Sequence, residues 1–206
     1  MEVITVQHTE AVHHVNGMVG GSTDWPLTAR GRRDARRIAR KLRRELGRKP
    51  DYVLYASDML RTTQTAEAIS KALDLPIQFV PDMRELKAGS ATGQSRAWLK
   101  EHQAPVKADE LFWDYRFLPD AESFRELSHR VDRFRQQLEI AGENAIVVGH
   151  GGSLGIFVQR FLHIPEEAGE RMWFHGNAGS IHRLQKEMDN ERSRAVYTLN
   201  QFNIMK

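Results

Sequence analysis

Val3-Ile4-Thr5-Val6-Gln7-His8-Thr9-Glu10 decides how this 206-residue chain is read. Four β-branched residues predict a short buried strand, and a histidine follows at its tip. In an α/β sheet that tip is where ligands bind. The plainer alternative is a surface histidine in a βα loop, and the segments that follow bear on the choice.

Working outward, 11–22 is glycine-rich and without period, so it reads as a loop. Its density of histidines raises a metal reading, with His8, Glu10, His13 and His14 as ligands. No HExxH helix accompanies them, and the glycines argue against a regular helix that would face ligands one way, so no metal is expected. Thr28 reads as a helix N-cap and Gly47 as the residue just past its end, with Ala35, Ile38, Ala39, Leu42 and Leu46 as the apolar stripe.

Further strands are predicted over 52–55, 77–80, 145–148, 179–184 and 194–199, and helices over 59–73, 124–138 and 154–162. Strands separated by helices predict an α/β fold, a three-layer α/β/α arrangement around a mainly parallel sheet. Residues 90–119 show no long period but carry Trp98, Trp113 and Phe117. They read as a lid-like insertion with short helices, or as a plainly packed one. No repeat or low-complexity linker appears, so one domain over 1–206 is expected.

Bulk composition narrows the function classes. Hydrophobic residues are 40% and charged residues 28%, as in an ordinary globular protein. No stretch approaches the ~20 apolar residues needed to cross a bilayer, and a strand starting at Val3 leaves no room for a signal peptide, so a cytoplasmic location is expected. With no cysteine, disulfides and thiolate nucleophiles are excluded. The net charge of +3 is uneven: residues 30–49 hold eleven Lys/Arg against Asp34 and Glu45, a local +9. The rest, 19 basic and 25 acidic residues, sums to −6. The basic helix suits an anionic partner, or it is a solvated face. It lacks interleaved aromatics, so nucleic acid is not expected.

Right-handed crossovers place parallel strand ends on one edge. His8, Arg61, Glu85 and His150 each follow such an end. Arg61 falls in the first turn of its helix, against the dipole, which makes sense beside a bound anion. Two histidines, a cation and a carboxylate suit phosphoryl transfer: an imidazole attacks phosphorus, cations hold the oxygens, and a carboxyl protonates the leaving alcohol. Gly151 and Gly152 let backbone amides approach phosphate at a helix start.

In these segments the chain resembles the histidine phosphatase superfamily, the phosphoglycerate mutase-like proteins. The family's Arg-His-Gly is here Gln7-His8-Thr9. Its Ser-x-x-x-Arg-x-x-Gln-Thr-Ala is Ser57, Arg61 and Gln64-Thr65-Ala66. Its Glu-x-x-x-Gly-x-x-x-Gly is Glu85, Gly89 and Gly93, and its His-Gly-Gly is His150-Gly151-Gly152. Lesser echoes are Thr23-Asp24, Glu122-Ser123 and Asn177-Ala178. The resemblance implies a phosphohistidine on His8, phosphoryl-oxygen contacts from Arg61 and His150, and Glu85 as general acid and later base. It implies no metal or organic cofactor and a phosphorylated small-molecule substrate. Gln7, Thr9, His14, Gly21 and Gly151 are the candidate substrate-binding positions. Oligomeric state stays open, a homodimer included.

The departures set the rival readings. Gln7 removes a fixed cation, Thr9 adds bulk, and His14 stands where the family often has asparagine. A protonated His14 would restore charge and raise activity as pH falls. The first reading is a phosphomonoester hydrolase, on a small molecule or a phosphoprotein. The alternatives are a weakened relative that binds a phosphorylated ligand without turnover and, further off, a phosphomutase.

Overall fold

The computed structural model describes residues 1–107, 111–190, 192 and 194–201. Six strands form one sheet in the order β3-β2-β4-β1-β5-β6. They are β1 (Glu2–Gln7), β2 (Val53–Ala56), β3 (Ile77–Phe79), β4 (Ala145–Gly149), β5 (Ile181–Asp189) and β6 (Arg194–Gln201). The first four run parallel, while β5 pairs antiparallel with β1 and with β6. The expectation that every strand ends on one edge therefore holds for β1 to β4 and for β6, which two reversals return to the direction of β1, and fails for β5. The turn that joins β5 to β6 needs no crossover helix, which is why they lie antiparallel.

Alternation along the central strands builds two cores. Val3 of β1 with Ala145 and Val147 of β4 face helices α4 (Phe124–Ala141) and α5 (Gly151–Phe161), packing on Leu127, Val131, Phe134, Phe157 and Phe161. Ile4, Val6, Ile146 and Val148 face the other side. There they pack on Ile38 and Leu42 of α1 (Ala29–Leu46) and on Ile69 and Leu73 of α2 (Leu60–Leu73). The sheet is thus buried on both faces, as near-continuous apolar strands require. Thr28 caps α1 through the Gly31 N–H at 3.0 Å, and the arginines at 32, 33, 36, 37 and 40 are exposed. The basic run is a solvated helix face.

Residues 90–119, of which 108–110 lie outside the described residues, contain α3 (Arg96–His102) and no longer element. Val19, Trp98, Leu99 and Phe117 pack on a small satellite core of Ala88, Ala91, Leu118 and Ala121. The insertion is tied to the 11–22 loop by Val19 N–H to Gln94 O at 2.8 Å and Arg96 N–H to Gly17 O at 2.9 Å. It is a packed insertion bordering that loop. The short helix α6 (Glu166–Gly169) supplies a carbonyl, Glu166 O, to the buried Trp113 indole at 3.0 Å.

The loop leaving β1 is held by close approach to α1. A Cβ on Gly31 would stand 2.0 Å from the Glu10 carbonyl oxygen, a distance no backbone tolerates. Gly31→Ala is expected to push this loop away and cost about 1–3 kcal/mol of stability, the usual range for overpacking. The midpoint of urea unfolding checks this, and an unchanged midpoint would refute the contact.

Candidate active site

The chain reverses its winding between β1 and β4. After β1 it crosses to the face of α1 and α2, and after β4 it turns to the face of α4 and α5. That divergence opens a crevice at the carboxyl ends of two adjacent parallel strands, the usual ligand position in such sheets. Gln7 pairs with Gly149 in the ladder, and the His8 N–H donates to Gly149 O at 3.0 Å. The two residues that follow these strand ends, His8 and His150, therefore stand side by side with ring centroids 5.2 Å apart.

His8 is 2% exposed and its Nδ1–H donates to Thr9 O at 2.8 Å. That bond fixes the tautomer and leaves the lone pair on Nε2. His150 is fully buried, with Nε2 paired to Ser57 Oγ at 2.9 Å. Burial holds both imidazoles well below the usual histidine range, and the Arg61 guanidinium lowers them further. Arg61 is 1% exposed, so it faces the protein interior and not solvent. Its Nη1 and Nη2 donate to Thr23 O at 2.7 Å and Gly21 O at 2.9 Å, and Asp24 caps the helix at the Leu60 N–H at 2.6 Å. The carbonyl belt aims the guanidinium, and Asp24 meets the dipole's demand for a negative neighbour.

Glu85 reaches the same place by another route. It lies six residues beyond β3, and its carboxylate accepts from the Gly152 N–H at 3.1 and 3.3 Å and from the Leu86 N–H at 2.9 Å. A Cβ at Gly152 would lie 2.4 Å from Glu85 Oε1, so only glycine admits the carboxylate there. Arg130 holds the segment in place, donating to Asp82 O, Arg84 O and Glu85 O at 2.6–2.9 Å. The same guanidinium pairs bidentately with Glu122 at 2.7 Å in a nearly buried ion pair. Sequence reasoning missed Arg130. Its signal was a cation on the buried stripe Leu127, Val131, Phe134 of α4.

The binding positions divide. Gln7 is buried and lies between Gly151 and Gly176: Cβ atoms there would sit 3.5 Å from its Nε2 and 2.9 Å from its Oε1. Gln7 and Gly151 thus belong to the crevice at the start of α5. Thr9 does not face it. Its hydroxyl donates to Gly31 O at 2.8 Å and its N–H to Thr65 Oγ1 at 3.3 Å, so its bulk is absorbed against α1 and α2. Gly21 acts through its carbonyl, on Arg61.

His14 stacks on His8 at 5.4 Å, and its Nδ1 accepts the Ala11 N–H at 3.0 Å. Burial, Arg61 and Arg96 lower its pKa, with Glu10 opposing, so a charged His14 that replaces the missing arginine is disfavoured.

The loop expected to scatter its histidines gathers three of them instead. A 3-10 turn over Val12–His14, anchored by Val12 N–H to Pro26 O at 3.0 Å, brings one nitrogen each of His8, His13 and His14 within 4.8 Å of one another. Glu10, the fourth residue of the metal reading, turns away to accept the Thr28 hydroxyl at 2.6 Å. Buried polar atoms without a hydrogen-bond partner include Arg61 Nε, His150 Nδ1 and His13 Nδ1, all in this crevice. Groups of that kind are rare in folded proteins and mark places where a ligand completes the bonding.

The chain is similar to known proteins in sequence and in fold. The probable phosphoglycerate mutase GpmB of Enterobacter sp. (strain 638) is 34% identical over 182 residues, which span 84% of this chain and 80% of its own. The adenosylcobalamin/alpha-ribazole phosphatase of Escherichia coli (strain K12) is 29% identical over 176 residues, 84% of this chain and 83% of its own. The solved structure of mycobacterial glucosyl-3-phosphoglycerate phosphatase with VO3 matches in fold, at a TM-score of 0.81 and 19% identity over 98% of each chain. The family model described as histidine phosphatase superfamily, branch 1, matches residues 3–198, from the first strand into the last, and the chain belongs to that superfamily.

Proposed function

We propose that the protein is a phosphomonoester hydrolase that works through a phosphohistidine on His8. The observation that carries this is the His8 tautomer: a buried imidazole whose Nδ1–H is spent on Thr9 O presents a free Nε2 beside His150 and Arg61. Nε2 attacks phosphorus, the ester P–O bond breaks, and Glu85 supplies the proton that the departing alkoxide takes. Water then attacks the phosphohistidine, giving its proton back to Glu85 and releasing phosphate. Arg61 Nε and His150 Nδ1, both lacking partners, are the donors available to the phosphoryl oxygens. The alpha-ribazole phosphatase among the similar proteins supports hydrolysis, and the probable phosphoglycerate mutases among them keep mutase chemistry as an alternative on the same fold. Residues 90–119, set against the 11–22 loop, are positioned to select the alcohol portion of the substrate.

Binding without turnover is the rival reading, and Gln7 is its basis, since a glutamine offers one neutral donor where a guanidinium offers a charged fork. Rapid-quench trapping with an aryl phosphate, with mass analysis of the His8 peptide, decides between them. Phosphate on His8 together with phenol release is expected, and His8→Asn should lower turnover at least about 10³-fold. Neither label nor turnover would leave the binding reading. Gln7→Arg is expected to raise kcat by up to about a hundredfold, because one transition-state donor is worth that much or more. A fall in kcat would mean that the crevice is fitted to glutamine.

The pH dependence follows from burial. Because His8 titrates well below the usual 6.5, kcat is expected to hold as pH falls through that value; an acid limb at 6.5 or above would refute a neutral buried nucleophile. Stability behaves differently. Burial pushes His13 down to about 3 and His182 to about 4. Below about 6.5 the unfolded chain binds protons that the folded one refuses. Stability is therefore full above about 6.5 and lost progressively as pH falls toward 4 and 3. Thermal unfolding at pH 7 and pH 5 checks the sign, and a higher Tm at pH 5 would contradict it.

A further inference from the structure

His13 has no part in the phosphoryl-transfer scheme, yet it is 9% exposed, with its ring 4.0 Å from His14 and 5.7 Å from His8. Its Nδ1 is buried without a partner. His8 Nδ1 donates to Thr9 O, which leaves the Nε2 lone pair free, whereas His14 Nδ1 accepts the Ala11 N–H, which puts the His14 proton on Nε2. One nitrogen of each ring lies within 4.8 Å of the other two, close enough for a small shift to gather three imidazoles around one metal ion.

We propose that His8, His13 and His14 form a three-imidazole site for a divalent late-transition ion, Zn²⁺ above all, and that its occupancy reversibly blocks the nucleophile. Three neutral imidazoles with an open fourth position are a donor set that Zn²⁺, Co²⁺, Ni²⁺ and Cu²⁺ favour, whereas Mg²⁺ and Ca²⁺ favour oxygen. Tetrahedral ligation with bonds of about 2.0–2.1 Å needs the nitrogens about 3.3 Å apart. The present spread is 4.8 Å at most, and His14, exposed on a short turn and held there by the Ala11 N–H, is the ring that moves to close it. The Nδ1–H bond to Thr9 O already orients His8, as the outer partners of metal-bound histidines do, while His14 ligates through the Nδ1 lone pair that it frees by releasing the Ala11 N–H. The Arg61 guanidinium opposes a cation, so an anion in the fourth position, hydroxide or phosphate, strengthens the complex. The ion takes the Nε2 lone pair of His8 that would attack phosphorus, with no bond broken and no proton moved. Metal binding itself is independent of the hydrolase reading; only the inhibitory consequence rests on it.

Co²⁺ titration at pH 7.5, read by visible absorption, tests binding without any turnover. One equivalent should give d–d bands of a nitrogen-ligated four- or five-coordinate ion, and Zn²⁺ should displace them. His13→Gln and His14→Gln should each weaken Zn²⁺ binding in calorimetry at least about tenfold, and the exposed His14 site is the variant least exposed to folding defects. Aryl phosphatase activity, each variant taken relative to its own metal-free rate, should be inhibited by Zn²⁺ in the native chain and resist it in both variants. No stoichiometric binding, or binding unchanged in both variants, would overturn the site. Binding in a protein that shows no turnover even without metal would keep the site and sink the hydrolase reading.

Discussion

The parallel pairing of β1 with β4 is the constraint on which the rest of the site depends. Strand ends cannot be moved independently: Gln7 faces Gly149 in the ladder, and the next residue on each strand is a histidine. A one-residue slip in either strand would exchange the side chains that fill the two cores and separate the two imidazoles at the same time. The requirement for two buried cores, Val3 with Val147 on one side and Ile4 with Ile146 on the other, therefore enforces the active-site geometry as well as the fold.

The carboxylate is held by a different kind of interaction. Glu85 sits on no strand or helix; a buried Arg130–Glu122 pair and three backbone carbonyls fix its segment. Removing one partner of such a pair leaves an uncompensated buried charge, commonly 3–5 kcal/mol. Helix α4 thereby supports the Glu85 segment through its cation, while its apolar face holds the core. Lys87 N–H to Glu122 at 3.0 Å extends the same brace past Glu85.

Much of this was legible in the residues. The apolar runs at 3–6 and 145–148 announce buried strands because parallel sheets need apolar faces on both sides. The cap Thr28 bounds its helix as its chemistry demands. What the residues concealed depends on long-range contact. The direction of β5 and β6 depends on a partner strand that their local pattern does not encode. Thr9 read as bulk in the site because nothing local reveals that Gly31 O would take its hydroxyl. His13 and His14 looked like scattered loop residues, since a turn anchored on Pro26 is a tertiary event. Arg130 looked like one of many surface arginines until its carbonyl partners were in view.

The order of the strands carries a consequence for how the molecule forms. β1 comes first in the chain yet lies inside the sheet, between β4 and β5, partners some 140 to 180 residues away in sequence. Until the last third of the chain is in hand, this apolar strand has both hydrogen-bonding edges open. Non-local pairing of this kind slows folding, and unpaired strands are where intermediates associate wrongly. The placement that brings His8 against His150 thus leaves its strand unpaired until β4 and β5 are present, and an intermediate that carries it exposes an apolar strand with open edges.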